Sequence, residues 1–193
     1  MDTPFLLRWK NPPDLSTEEL LEFSEINDPL QIERECDGSL LIMSPTGLTT
    51  GDRNADLTMQ LRLWAKRDGS GVAADSSVGY ELPNRSLRGP DASWTRRERI
   101  EALPPGERNT IPHLVPDFVV ELRSTSNRLR RLREKMDEYM ANGVRLGWLL
   151  DPTSRTAYVY RPGAEVQVFE NASSLDASPE LPGFVLDLVP IWS

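Results

Sequence analysis

The chain predicts an α/β fold in which a central β-sheet is flanked by helices and preceded by an N-terminal helix and a β-hairpin. Three observations predict it. A helix-capping pattern and the turn dipeptide Asp37-Gly38 stand near the N-terminus. A nearly continuous apolar run over 115–122 has the length and composition of a strand buried on both faces. An amphipathic stretch and a further apolar run follow it, the order of a right-handed βαβ unit with a parallel strand pair. At 193 residues the whole chain, 1–193, is expected to form one domain.

Ser16, with Glu19 three residues on, is a capping box that satisfies two helix-end amides, so a first helix is expected over 16–25. Residues 31–36 and 39–44, split by Asp37-Gly38, predict the hairpin. Over 49–67, Ala55, Met59 and Leu63 and also Leu57, Leu61 and Trp64 recur at helical spacing, and Gly69 closes the run. Two strands about a turn are expected over 72–82, a polar loop over 83–89 and a short buried strand over 90–94. Thr95 and Glu98 repeat the capping-box pattern, predicting a short helix over 95–102 stopped by Pro104-Pro105. After strand 115–122, a third long helix over 127–142 places Leu129, Leu132, Met136, Tyr139 and Met140 in one stripe, with Gly143 as its stop. Strands over 144–150 and 156–160 follow, with peripheral strands at 166–169 and 184–188.

No apolar run approaches the roughly 18 residues that span a bilayer, and the first fifteen residues lack a signal-peptide core, so neither membrane insertion nor secretion is expected. Cys36 is the only cysteine, which excludes an intramolecular disulfide and fits a reducing cytoplasm. His113 is the only histidine, which removes His-rich zinc sites. Any metal ligands are then oxygens, which suit Mg²⁺ or Mn²⁺. The net charge of −8 argues against a basic coat, yet residues 85–135 hold twelve Arg or Lys against seven Asp or Glu, a local +5 that leaves −13 elsewhere. A basic middle suits a phosphate-facing groove, and a solvated helix face accounts for many of the same arginines.

Two acids lie where acids are costly. Asp91 sits in a short strand after a proline, and Glu121 lies in the otherwise apolar run 115–122, where a charge must be paired, hydrogen-bonded or metal-bound. Pairing with an arginine is the plainer reading of either acid alone. Two such acids on separate strands, beside a basic helix, point to a site. Metal-assisted phosphodiester hydrolysis needs carboxylates for the ion, a polarised water and a nearby cation. Lys135 falls about 40° around the helix from Tyr139, at the edge of the apolar stripe, so its ammonium can reach the strand ends. Arg128 lies on the same flank two turns earlier.

The segments Gly89-Pro90-Asp91-Ala92-Ser93, Val115-Pro116-Asp117-Phe118-Val119-Val120-Glu121-Leu122-Arg123-Ser124, Lys135 through Arg145, and Trp148-Leu149-Leu150-Asp151-Pro152 closely resemble the Uma-two family of proposed endonucleases. That family belongs to the PD-(D/E)xK, restriction-endonuclease-like superfamily, and the resemblance covers 32–161. It implies a mixed central sheet flanked by helices, with Asp91 and Glu121 as ligands of a divalent metal. The superfamily's usual lysine lies two residues after the second acid, where this chain has Arg123, and Lys135 matches the family's displaced lysine. Glu33 resembles the family's additional N-terminal acid, with Glu35 a near competitor.

The leading expectation is a Mg²⁺- or Mn²⁺-dependent endonuclease acting on DNA, with Lys135 positioning or deprotonating the water, Glu33 in support and Arg123 or Arg128 on phosphate. A homodimer is expected, because cutting both strands calls for two sites related by a two-fold axis. The alternative from another class is a catalytically silent nucleic-acid- or protein-binding module of the same fold. A small-phosphoester hydrolase shares the chemistry and differs in the openness of its cleft.

Overall fold

A computed structural model describes residues 5–11, 13–27, 31–43, 45–124 and 128–193. In chain order its elements are β1 (Phe5–Leu7), α1 (Thr17–Ile26), β2 (Gln31–Arg34), β3 (Leu40–Met43), α2 (Leu48–Asp68), β4 (Gly71–Asp75), β5 (Tyr80–Glu81), β6 (Leu87–Arg88), β7 (Ala92–Arg96), α3 (Arg97–Glu101), β8 (Phe118–Leu122), α4 (Leu129–Ala141), β9 (Leu146–Asp151), β10 (Thr156–Tyr160), β11 (Gln167–Glu170), β12 (Ser174–Asp176), β13 (Val185–Asp187) and α5 (Val189–Trp192).

A six-stranded sheet in the order β11-β10-β9-β8-β7-β4 forms the centre, and a five-stranded sheet in the order β1-β3-β2-β6-β5 lies beside it. The central sheet is mixed: β8 and β9 run parallel, and the other pairs are antiparallel. The parallel pair brackets α4, as the βαβ reading requires.

Alternation along β8 splits the core. Phe118, Val120 and Leu122 face Leu57, Leu61 and Trp64 of α2, whereas Val119 faces Leu132, Met136 and Tyr139 of α4. Of the two stripes expected on α2, only Leu57, Leu61 and Trp64 is buried; Met59 and Leu63 are exposed. Gly147 in β9 lets α4 approach closely, since a Cβ there would collide with the Met136 methyl.

The α1 capping box forms as expected: Glu19 N donates to Ser16 Oγ at 3.1 Å, and Ser16 N donates to Glu19 Oε2 at 2.7 Å. The second box does not. Thr95 is drawn into β7, where it pairs with Val72, and α3 begins after Arg96, whose amide is taken by Asp117 Oδ2 at 2.9 Å. Ladder pairing and a buried carboxylate thus outcompete the local cap. The strand expected from 115 starts at Phe118, because Pro116 has no amide to donate. Residues 83–89 are not wholly loop: Leu87–Arg88 form β6, which joins β2 to β5, too short a strand to leave a periodic signal. The two strands expected over 72–82 pair in different sheets, β4 with β7 and β5 with β6. The peripheral strand expected over 184–188 forms as β13, and it pairs with β12, a strand that was not expected. The predicted ends of the hairpin at Ser44 and of the third helix at Asn127 lie outside the described residues.

Candidate functional site

Asp91 and Glu121 meet through strand register. In the antiparallel pair β7–β8, Ala92 lies opposite Val120, so Asp91, the residue before β7, comes to the end of the sheet where Glu121 and Leu122 finish β8. Asp91 Oδ2 accepts the Leu122 amide at 2.7 Å, and its Oδ1 accepts from Asn54 Nδ2 at 3.1 Å.

Glu121 is 4% exposed and faces α4. Its Oε1 accepts from the Tyr139 hydroxyl at 3.0 Å and meets Lys135 Nζ at 2.8 Å. Among the described residues no hydrogen bond reaches its Oε2. The two donors stand four residues apart on one helix face, the spacing that stacks side chains.

Lys135 links both sheets. Beside its contact with Glu121 on β8, its Nζ donates to Glu33 Oε1 on β2 at 2.7 Å and to the Gly89 carbonyl at 3.4 Å. Glu33 Oε1 also accepts the Gly89 amide at 2.9 Å, and its Oε2 meets Arg88 at 3.4 Å. The choice between Glu33 and Glu35 resolves geometrically. Two strand residues rise about 6.6 Å and four helix residues about 6 Å, so the strand and α4 run in step. Glu33 then meets Lys135 while Glu35 meets Arg131, at 2.6 Å, one turn earlier and nearer solvent. Glu35 does not reach Lys135.

Burial dominates the electrostatics. It raises the Asp91 carboxyl above its ordinary range despite the Leu122 amide, Lys135 and Asn54. It pushes Glu121 up to about 7, and the negative charges of Asp91 and Glu33 add to the rise against Lys135. For Glu33 burial acts in the same direction, but Lys135 and Arg88 outweigh it and hold the group below its usual range. Lys135 is raised, since the pull of Glu121 and Glu33 exceeds the cost of its burial. Burial, reinforced by Glu121, lifts Tyr139 well above its ordinary value, so its hydroxyl remains a donor.

A cleft of about 600 Å³ opens between the β2–β3 hairpin and α4. Glu33, Glu121 and Lys135 line its buried part, and Arg8, Arg128, Arg130 and Arg131 line it toward solvent together with Glu35, Asp37 and Glu134. Asp91 is not in that lining, so the cleft reaches the carboxylate pair from the Glu121 side. Arg128 is exposed at the N-cap of α4. The Arg123 guanidinium lies 2.6 Å from the buried Asp151 carboxylate, which ties the residue after β8 to the end of β9.

Tyr139, Asn54 and Arg88 were not apparent as site residues in the sequence. Tyr139 was legible only as core, although a tyrosine in an apolar stripe needs a partner for its hydroxyl. Arg88 lies in a two-residue strand and makes ion pairs with Glu33, Glu35 and Glu138. Asn54 is brought to Asp91 by the packing of α2 across 37 positions of sequence.

Residues 17–189 match the profile of the Uma2 family, described as "putative restriction endonuclease". The chain belongs to the Uma2 family. Among solved structures, the chain is similar to a protein from Anabaena variabilis titled as a "putative nuclease belonging to DUF820", with a TM-score of 0.75 and 19% sequence identity over 92% of this chain and 97% of that one. The shared architecture is the restriction-endonuclease-like mixed sheet with flanking helices. No curated protein matches the sequence. For a Uma2 protein, the fit to a metal is read from the acids themselves. Burial leaves Asp91 and Glu121 short of positive charge, and Glu121 keeps one oxygen without a bond among the described residues, a donor set suited to a hard divalent ion that retains waters. Among the described residues no group of three or more His, Cys, Asp and Glu side chains is placed to cage an ion. No helix of the described residues is long and apolar enough to cross a membrane.

Proposed function

We propose that this Uma2 protein is a Mg²⁺- or Mn²⁺-dependent endonuclease that hydrolyses DNA phosphodiester bonds. The observation that carries the reading is the meeting of Asp91 with the end of β8, where it accepts the Leu122 amide at 2.7 Å beside Glu121, with the Lys135 ammonium 2.8 Å from Glu121. Asp91 and Glu121 would hold the ion, which when bound supplies Lewis acidity to the scissile phosphate and acidifies water. Lys135, held above its ordinary proton affinity, is an ammonium at neutral pH. It therefore orients a water or a phosphate oxygen and stabilises developing negative charge; in the metal-free protein it is no base. Glu33 fixes that ammonium from the other side, and Tyr139 fixes the Glu121 carboxylate. Arg128 and Arg123 are the proposed phosphate contacts. A homodimer would present two such sites to the two strands of a duplex.

The test is incubation of supercoiled plasmid with Mg²⁺ or Mn²⁺, comparing the wild type with Asp91→Ala. Nicking by the wild type alone supports the reading. A second reading, a binding module without turnover, is favoured by the ion pairs of Lys135 with Glu33 and Glu121, which engage the ammonium on two sides. It requires DNA binding that EDTA leaves unchanged, with no nicking.

A further inference from the structure

The core-facing stripe of α2 is Leu57, Leu61 and Trp64, and the half-buried Asn54, three residues before it at helical spacing, continues the stripe toward Asp91 with an amide. A polar side chain in such a stripe is costly unless its groups are used. Half of this one is used: Nδ2 donates to Asp91 Oδ1 at 3.1 Å, the only amide orientation that avoids setting two oxygens against each other. The other half is not. Asn54 Oδ1 is buried and has no hydrogen-bond partner among the described residues. It lies beside the Asp91 carboxylate that its own Nδ2 holds.

We infer that Asn54 is the positioning residue of the carboxylate pair: its Nδ2 fixes the rotation of Asp91, and its buried Oδ1 receives a hydrogen bond from a water held at Asp91 and Glu121. The inference rests on the metal reading proposed above. Asp91 is clamped from two directions, by the Leu122 amide on Oδ2 and by Asn54 on Oδ1, so the free lone pairs of the carboxylate have one orientation. Loss of an outer partner of this kind lowers metal affinity by about 10- to 100-fold.

The experiment titrates Mn²⁺ alone into the wild type, Asp91→Asn, Asn54→Leu and Asn54→Ala by calorimetry, with melting curves recorded in EDTA. Both Asn54 variants are expected to bind Mn²⁺ at least about tenfold more weakly than the wild type. Their metal-free melting temperatures should not fall in parallel, because the substitutions remove a buried unpaired acceptor. A merely structural asparagine gives the opposite pattern, lower melting with unchanged affinity. The Ala variant separates lost hydrogen bonding from added bulk. Wild-type binding that Asp91→Asn abolishes and the Asn54 variants match within about twofold overturns this inference and leaves the metal reading intact. A wild type that binds no Mn²⁺, or binds it regardless of Asp91→Asn, overturns both.

Discussion

Asp91, Glu121 and Glu33 bring three carboxylates to one region that Lys135 and Arg88 face, and Arg88 also serves Glu35 and Glu138. Glu121 bears the imbalance, and its stability consequence has a definite sign. Above pH 7 the carboxylate is charged in both folded and unfolded chains, and the folded protein carries the cost of burying it. As pH falls from about 7 toward 4.5 the folded state takes up the proton first and gains stability relative to the unfolded one. The cost of burying the charge is present in full at alkaline pH. In EDTA, Glu121→Gln should therefore melt above the wild type at about pH 8.5, with the two converging near pH 5. A pH-independent difference would remove the burial account. Glu121→Gln should also lose Mn²⁺ binding. Lys135→Met should behave in reverse: Mn²⁺ affinity is not weakened, while plasmid nicking slows by something like 10² to 10⁴. The same substitution leaves the buried Glu121 without its cation and Glu33 with Arg88 alone, so the metal-free variant should be the less stable partner in a urea comparison. Metal binding lost as fully as in Glu121→Gln would make the lysine structural.

Among the elements, two glycines separate rigid from yielding neighbours. A Cβ at Gly71, where β4 opens, would run into the Trp94 indole and the Thr95 carbonyl, a ring packed on Trp64 and a backbone atom. A Cβ at Gly147 would meet the methyl ends of Met136 and Met140, which can rotate away. Gly71→Ala should cost about 1–3 kcal/mol in urea denaturation and Gly147→Ala less; the reverse order would contradict this packing. The elements themselves were legible where one physical signal acted alone. The α1 capping box, the Asp37-Gly38 hairpin, the α4 stripe ended by Gly143 at φ 101° and the strand β10 all appear as read. The Thr95 box was misleading because a β-ladder competed for the same residue. Strand β6 was invisible because two residues have no period.

At the scale of the molecule, the candidate site is assembled where the smaller sheet closes on α4. Tyr80 and Leu82 from the smaller sheet's side of the molecule pack with Val119, Leu132 and Tyr139, and Asn84 donates to Glu138 at 2.8 Å. That closure carries Glu33 and Arg88 to Lys135. Sedimentation at micromolar concentration should show a two-fold dimer, as a cut through both strands of a duplex would need; a monomer there would remove the dimer proposal. The charge of −8 is unevenly spread, and the solvent side of the cleft holds Arg8, Arg128, Arg130 and Arg131 beside Glu35, Asp37 and Glu134.

The sequence by itself determined the α/β class, the βαβ unit around α4 and the suspicion attached to Asp91, Glu121 and Lys135. Each depends on local quantities: the period of apolar residues, caps and turns, and the cost of a charge inside an apolar run. Only the tertiary structure decided that Glu33 rather than Glu35 meets Lys135, that Tyr139 turns its hydroxyl to Glu121 and that Asn54 holds Asp91. Those contacts join residues 18 to 102 positions apart. Their existence depends on strand register and on how one helix sits across a sheet, and neither leaves a mark in the local pattern of the chain.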